Sequence, residues 1–328
     1  MSAVAFWLLA LIITAYVLLD GYDLGIATIT PLVAQTPSER GASMRAIGPY
    51  WNANEVWLIA GGGALFALFP KAYASAFSGF YLPFIVALWL FMVRGIAMEL
   101  RDHFASTIWR DFWDFSFSAS STLLILVFGV TIGNLLRGVP LDHDGYFTGT
   151  FGFLLNPFAG LVAILAVLAL AAHGALFLTL RVEGPPAERA RVLVVRLVPA
   201  IFVVYVVLTV AVFSTIALRS APAARAILPF LAIVALGVEL FAALRGKPWV
   251  AFGASCAFLV LLLFGAAVEM YPYLLPGFPE RTMGLSVLEA GASPAALATA
   301  LAVSIAGLCI VVAYAAYAAR AMRAKISL

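Results

Sequence analysis

Nine long apolar runs divide the sequence, and each is long enough to cross a bilayer as a helix. They fall at about 4–30, 52–69, 75–94, 115–136, 157–180, 197–218, 227–244, 250–270 and 295–319. A spanning helix needs about 20 apolar residues, whereas a spanning strand needs about 10 that alternate with polar ones. These runs do not alternate, so a barrel is excluded. Only helices satisfy every backbone N–H and C=O within one segment in a medium without water. Composition agrees: 64% of the 328 residues are apolar and 11% are charged. Soluble domains carry about 25% charged residues, so a soluble enzyme is excluded, and two cysteines exclude a disulfide scaffold. The expected fold is one polytopic all-α membrane domain over 1–328, with short loops. Nothing in the net charge of +3 points to nucleic acid.

Basic residues orient such a chain, because short cytoplasmic loops retain Lys and Arg. With the N-terminus outside, the inner side collects Arg40, Arg45, Arg94, Arg101, Arg110, Arg181, Arg189, Arg191, Arg196, Arg245, Lys247, Arg320, Arg323 and Lys325. The outer side holds Lys71, Arg137, Arg219, Arg225 and Arg281, which completes the 19 basic residues. This asymmetry predicts N-out, C-in with nine spans. No Lys or Arg precedes Arg40, so the first run is expected to be a retained helix rather than a secretory signal. The inner loop 95–114 reads as an interfacial segment anchored by Trp109 and Trp113. The outer loops 137–156 and 271–294 are the longest. The second, with Pro272, Pro276 and Pro279, reads as ordered but irregular.

A charge in hydrocarbon costs at least about 2.5–3.5 kcal/mol on insertion scales, so intramembrane polar residues are candidates for function. Asp20 and Asp23 lie three residues apart on the first run and share a helix face. Gly21 and Gly25 beside them form a small-xxx-small pair that admits a close neighbour. Glu55 follows Asn52 and Asn54 at the start of the second run, His173 lies in the fifth, Glu239 in the seventh, and Glu269 ends the eighth. In the N-out arrangement Asp20, Asp23, Glu55, His173 and Glu239 all fall in the cytoplasmic half. That grouping suggests a route for proton uptake. The structural alternative is that the acids brace helix ends against arginines, and for Glu239 bracing is the preferred reading.

Membrane b-type haem commonly takes two axial ligands from facing helices. Of three histidines, His103 and His143 fall in loops and only His173 in a span, so this chain is a poor haem protein by itself. His/Cys metal spacings, phosphate-binding loops and dinucleotide fingerprints are absent from the sequence. Cys256 and Cys309 lie inside spans and read as small packing residues.

Several strings resemble one family: LDGYDLGI at 19–26, GPYWNANEVWLI at 48–59, GGALFALFP at 62–70 and FSGFYLP at 77–83. So do RGIAMELR at 94–101, GN at 133–134, LLNPF at 154–158, HGA at 173–175 and YPYLLP at 271–276. Together they resemble subunit II of the cytochrome bd-type quinol oxidases, including the cyanide-insensitive group. The resemblance implies two four-helix bundles plus one peripheral helix in a bacterial inner membrane. It implies a heterodimer with subunit I, which mainly carries the b and d haems, in an enzyme that oxidises quinol and reduces dioxygen while a proton gradient builds. It further allows a structural quinone, membrane lipid contacts and a small single-helix accessory subunit. Carried over by position, Asp20 and Asp23 match the acidic element and Glu55 and Trp57 match NEVW. By the resemblance, Trp57 lies on a route for oxygen, and Asp20, Asp23, Asn52, Glu55 and His173 are candidates for a proton path. Most relatives carry Asp-Gly where this chain has Asn52-Ala53, so Glu55 is expected to take over a titrating duty. Gly21, Gly25, Asn54, Arg94, Glu99, Arg101 and Asn134 are expected to be structural.

A second reading is a secondary transporter or ion-coupled permease. Transporters break helices with Gly or Pro near midplane. Pro31, Pro70, Pro157 and Pro199 are placed at the ends of runs, and only Pro83 and Pro229 a little way inside. That pattern weakens the transporter. A third reading is a scaffold with neither proton nor oxygen role.

Overall fold

The computed structural model describes residues 1–215, 222–321 and 326. The helices are α1 (Ser2–Val33), α2 (Pro37–Ile47), α3 (Trp51–Leu68), α4 (Pro70–Gly79), α5 (Tyr81–Leu100) and α6 (Thr107–Arg137). They continue as α7 (Phe151–Leu154), α8 (Pro157–Arg181), α9 (Pro185–Thr215), α10 (Pro222–Leu244), α11 (Pro248–Met270) and α12 (Pro294–Ala321). An antiparallel pair, β1 (Tyr273–Leu275) and β2 (Leu285–Ser286), flanks a short 3-10 helix at Arg281–Met283 and completes the elements among the described residues.

α1, α3, α5 and α6 form one group, and α8, α9, α10 and α11 form a second. α12 packs on α3 and α1 and is mostly exposed. The groups join where α8 meets α1 and α6, and small residues make that junction. A Cβ on Gly25 would collide with the Leu170 carbonyl, and one on Gly174 with the backbone of Gly25 and Ile26. Nearer the start of α8, Gly129 and Gly133 of α6 face the backbone of Ala163 and Ala159. In a membrane, where association rests on close packing rather than expulsion of water, such contacts hold helices together.

Caps start several helices. Thr36 and Glu39 form a reciprocal capping box at α2. Asn156 caps α8 ahead of Pro157. The loops 137–156 and 271–294 close one end of the molecule jointly. Val139 bridges to Gly277, and the Arg137 guanidinium sits between the Phe153 and Phe278 rings at 4.7 and 4.5 Å. Arg281 donates to the carbonyls of Leu136 (2.9 Å) and Glu269 (2.8 Å).

Among the described residues, eight helices are long and apolar enough to cross a membrane, and α3, the second run, falls short of that measure. Asn52, Asn54, Glu55 and Gly61–Gly63 dilute its apolarity. The 75–94 run is not one helix: the chain breaks after Gly79, and α5 continues to Leu100. As α6 begins at Thr107, the 95–114 loop shrinks to 101–106. Trp109 and Trp113 therefore belong to the first turns of α6, with the Trp109 indole N–H donating to the Leu100 carbonyl (2.7 Å). Arg94, the last residue of the 75–94 run, is fully buried within α5 rather than at a helix end. α2 was hidden by its polarity, and α9 starts 12 residues before the apolar run, so Pro199 lies inside a helix. The end of the 197–218 run, and Arg219, Arg323 and Lys325 of the orientation argument, lie outside the described residues.

Candidate functional site: a buried acid–arginine network

Three helices converge on one ionic cluster. α1 presents Tyr16, Asp20 and Asp23 at spacings of four and three residues, which stack on one face. α3 supplies Asn54 and Glu55 from its first turns, and α5 supplies Arg94 from its second half. The Arg94 guanidinium grips Asp20 through both carboxylate oxygens, at 2.8 and 3.3 Å. The same Nη1 reaches Glu55 at 2.9 Å. Tyr16 donates its hydroxyl to Asp20 at 2.9 Å. The side chains of Asp20 and Arg94 are wholly buried, whereas that of Glu55 is 25% exposed.

Asp23 is also wholly buried, yet it forms no ion pair among the described residues. Its Oδ2 accepts from the Asn54 amide at 2.8 Å, and its Oδ1 has no hydrogen-bond partner among the described residues. The Asn54 amide also points at the Tyr22 hydroxyl (2.9 Å) and the Leu19 carbonyl (3.2 Å). One cation thus serves a cluster of three carboxyl groups, and that cluster opens to the surface of the chain at Glu55.

The other sequence candidates are placed differently. Asn52 is exposed on the first turn of α3 and faces outward from this chain. His173 is fully buried between α1, α8 and α11. Its Nε2 lies 3.0 Å from the Leu18 carbonyl, which only accepts, so Nε2 carries the proton. Nδ1 then accepts from the Ser255 hydroxyl at 3.0 Å. Phe252 stacks on the ring at 4.8 Å. Trp57 is buried in the core shared by α1 and α3, with Ile12 and Tyr16. Glu99 is exposed. Glu239 is buried on α10 and its Oε1 has no hydrogen-bond partner among the described residues.

Arg101 and Asn134 are cross-braces. Arg101 binds Asp114 (2.5 Å), Asp102 (2.9 Å) and the Pro37 carbonyl (3.0 Å), and Arg40 pairs with Asp114 (2.7 Å) and Asp111 (2.8 Å). These contacts clamp α2 to the facing ends of α5 and α6. Nearby, Glu39 pairs with Arg189 through both oxygens at 3.0 Å. The Arg189 guanidinium, helped by the amides of Gln35 and Thr36, lowers the Glu39 carboxyl to about 2. Asn134 donates to the Leu154 carbonyl (2.8 Å) and accepts from Asn156 (2.9 Å), which ties α6 to the cap of α8.

Sequence reasoning passed over Tyr16 and Tyr22 and counted Arg94, at the end of the 75–94 run, with the inner-side basic residues. The signal for Tyr16 was available, since it precedes Asp20 by one helical turn. Nothing local marked Arg94, whose partners lie 74 and 39 residues away.

The donor set does not suit haem. Both nitrogens of His173 are already bonded within the core. His143 is 90% exposed beside Asp144, and His103 sits on the surface against Phe104. Among the described residues no cluster of three His, Cys, Asp or Glu side chains could hold a metal ion.

Comparison with known proteins agrees across the chain. The family described as cytochrome bd terminal oxidase subunit II matches residues 1–322. Cytochrome bd-I ubiquinol oxidase subunit 2 of Escherichia coli strain K12 is 32% identical, over 88% of this chain and 85% of its own length. Cytochrome bd ubiquinol oxidase subunit 2 of Bacillus subtilis strain 168 is 35% identical, over 60% of this chain and 59% of its own. A chain of the bd oxidase from Geobacillus thermodenitrificans shares the fold, with a TM-score of 0.79 over 97% of both chains at 17% identity.

Proposed function

The chain belongs to the cytochrome bd terminal oxidase subunit II family, and on that premise we propose that it is the haem-poor subunit that gives protons access to a quinol-oxidising, dioxygen-reducing complex. Its place is a bacterial inner membrane, as a multi-pass partner of subunit I. The haems b and d and the quinol belong to that partner, a division that the unsuitable donor set of this chain supports. Haem supplies the oxygen chemistry, and the residues of this chain position protons.

The acid–arginine network carries the proton reading. Glu55 is its only partly exposed acid and acts as the port. Asp20 and Asp23 lie behind it, with Arg94 holding the first and Asn54 the second. When Glu55 takes a proton its attraction for Arg94 falls, and the guanidinium is left to Asp20. When it gives the proton up, the shared arrangement returns. Three carboxyl groups around one cation leave room for exchangeable protons, which a simple ion pair would not. The outward-facing Asn52 cannot titrate, so Glu55 is the acid that its helix offers.

Oxygen access past Trp57 is a second role for the same chain. Its support is a large apolar indole buried between α1 and α3, a surface compatible with an apolar gas.

The test has two stages. The chain, tagged and co-expressed with its subunit I, is purified, and a haem d absorbance band is sought. A colourless preparation would favour the transporter reading. Glu55→Gln is then compared with the parent for oxygen consumption and for proton uptake in vesicles. Slowed uptake at normal haem content is expected. Equal rates would move the proton path to the partner.

A further inference from the structure

The side-chain amide of Asn54 has more neighbours than hydrogens. Its nitrogen carries two hydrogens, yet three oxygens lie within reach: Asp23 Oδ2 at 2.8 Å, the Tyr22 hydroxyl at 2.9 Å and the Leu19 carbonyl at 3.2 Å. Asn54, Tyr22 and Asp23 are all buried, so bulk water does not make up the shortfall. The Leu19 carbonyl does not need the amide. It lies within α1, where the backbone N–H of Asp23, four residues on, is its regular helical donor.

The Tyr22 hydroxyl does need an acceptor. Its ring is stacked on Phe177 at 3.9 Å, which fixes where the hydroxyl points. Asn54 is its only hydrogen-bond partner among the described residues. With the amide nitrogen turned towards it, the hydroxyl accepts, and its own hydrogen has nowhere to go. Asp23 shows a matching imbalance. It forms no ion pair among the described residues, its Oδ1 has no hydrogen-bond partner there, and Arg94 is taken up by Asp20 and Glu55. An ionised Asp23 would rest on a share of one amide, and burying an unpaired charge costs far more than burying a neutral acid.

A half-turn of the Asn54 amide exchanges its nitrogen and oxygen in place. The oxygen then faces Asp23 Oδ2 and the Tyr22 hydroxyl across 2.8 and 2.9 Å, within the roughly 2.5–3.0 Å of O–H···O bonds. Both groups can donate to it only when Asp23 carries a proton. We propose that Asn54 presents its amide oxygen to Tyr22 and Asp23, and that Asp23 is a neutral carboxylic acid whose Oδ2–H donates to that oxygen. Tyr22 is the positioning residue, since its hydroxyl, donating to the same oxygen, holds the amide in this orientation. Of the two acids on this face of α1, Asp20 has the cation and Asp23 has the proton. Asp23 is thus the proton store of the network, behind the port at Glu55. Exchange of the stored proton rests on the proton reading, whereas its presence on Asp23 does not.

Infrared absorption of the purified complex with subunit I tests this, because a protonated carboxyl absorbs above the amide and carboxylate bands. Asp23→Asn should remove the equivalent of a single protonated carboxyl from that region. Tyr22→Phe keeps the ring stack and deletes the second donor, so it should shift the Asp23 band without removing it. This second variant also decides the matter where Asp23→Asn assembles poorly. An acid region identical in the parent and Asp23→Asn, or one that Tyr22→Phe leaves untouched, overturns the proposal. Transfer to heavy water under turnover separates the two readings. A band that moves supports both the store and its exchange. A band that Asp23→Asn removes but heavy water never shifts upholds the neutral acid and defeats the proton route.

Discussion

Arg94 and Asp20 are joined by a two-pronged ion pair across 74 residues of sequence, and neither side chain has any exposed surface. Removing one partner of such a pair strands a buried charge, at a cost of about 3–5 kcal/mol. Arg94→Gln is therefore expected to reduce recovery of the assembled complex sharply. Adding Asp20→Asn removes the stranded carboxylate and should restore part of the loss. Heat-inactivation midpoints of the two single variants and the double variant measure this coupling. Strict additivity would show that the pair contributes nothing together.

Glu55→Gln and Asp23→Asn keep shape and hydrogen bonding but end titration. With normal haem content, both should slow oxygen reduction more than they weaken quinol binding. The deficit should widen as pH rises, because protons become scarce and the remaining acids must capture them. Oxygen consumption against pH for each variant, alongside the quinol Michaelis constant, gives the comparison. A flat ratio to the parent across the range would leave these acids as braces.

Glycine positions separate packing from open surface. Gly25→Ala or Gly174→Ala drives a methyl group into backbone on the facing helix. Overpacking typically costs about 1–3 kcal/mol, and backbone offers little relief. Both variants should assemble poorly. Gly253→Ala, at a helical glycine with nothing within 4 Å of an added Cβ, should assemble normally. Size-exclusion recovery of the complex from equal amounts of membrane reads out the difference.

Stability at acid pH should report on Glu39. Its carboxyl is lowered from the ordinary 4.5 to about 2 by Arg189 and two amides. A depressed acid contributes stability that is complete above its unfolded value and is lost as pH falls through the folded value. The parent should therefore lose this contribution between about pH 4.5 and 2. Glu39→Gln should be less heat-stable than the parent at neutral pH, and the gap should close towards pH 2. Thermal unfolding of the two complexes at stepped pH values is the measurement. A gap that does not depend on pH would assign the effect to the capping box alone.

Trp57 distinguishes an oxygen wall from a packing residue. If its indole borders an apolar passage, Trp57→Phe should change the Michaelis constant for oxygen and leave that for quinol unaltered. If it only packs, the variant should lose haem and yield without a selective oxygen effect. Oxygen-electrode traces at low oxygen tension separate the two outcomes.

The sequence by itself determined that this is a helical membrane protein, because apolar length is a local property and hydrocarbon admits few alternatives. It also placed Asp20, Asp23 and Glu55 on the right helices, since a charged residue stands out in an apolar run. Gly25 was legible as a point of close approach, although its partner Gly174 was not. The tertiary structure decided the pairings. Arg94 lay at the end of an apolar run and was counted with the inner-side basic residues until α5 carried it into the core. His173 lay in the membrane like the acids, yet it bonds to Leu18 and Ser255 in the core. α2 could not be seen as a helix from its apolar content, because its fold depends on a capping box and on ion pairs contributed by distant segments. Hydrophobicity is written residue by residue along the chain. The partner of a buried charge is set by which helices meet, and that is decided only where backbones such as those of Gly25 and Gly174 can touch.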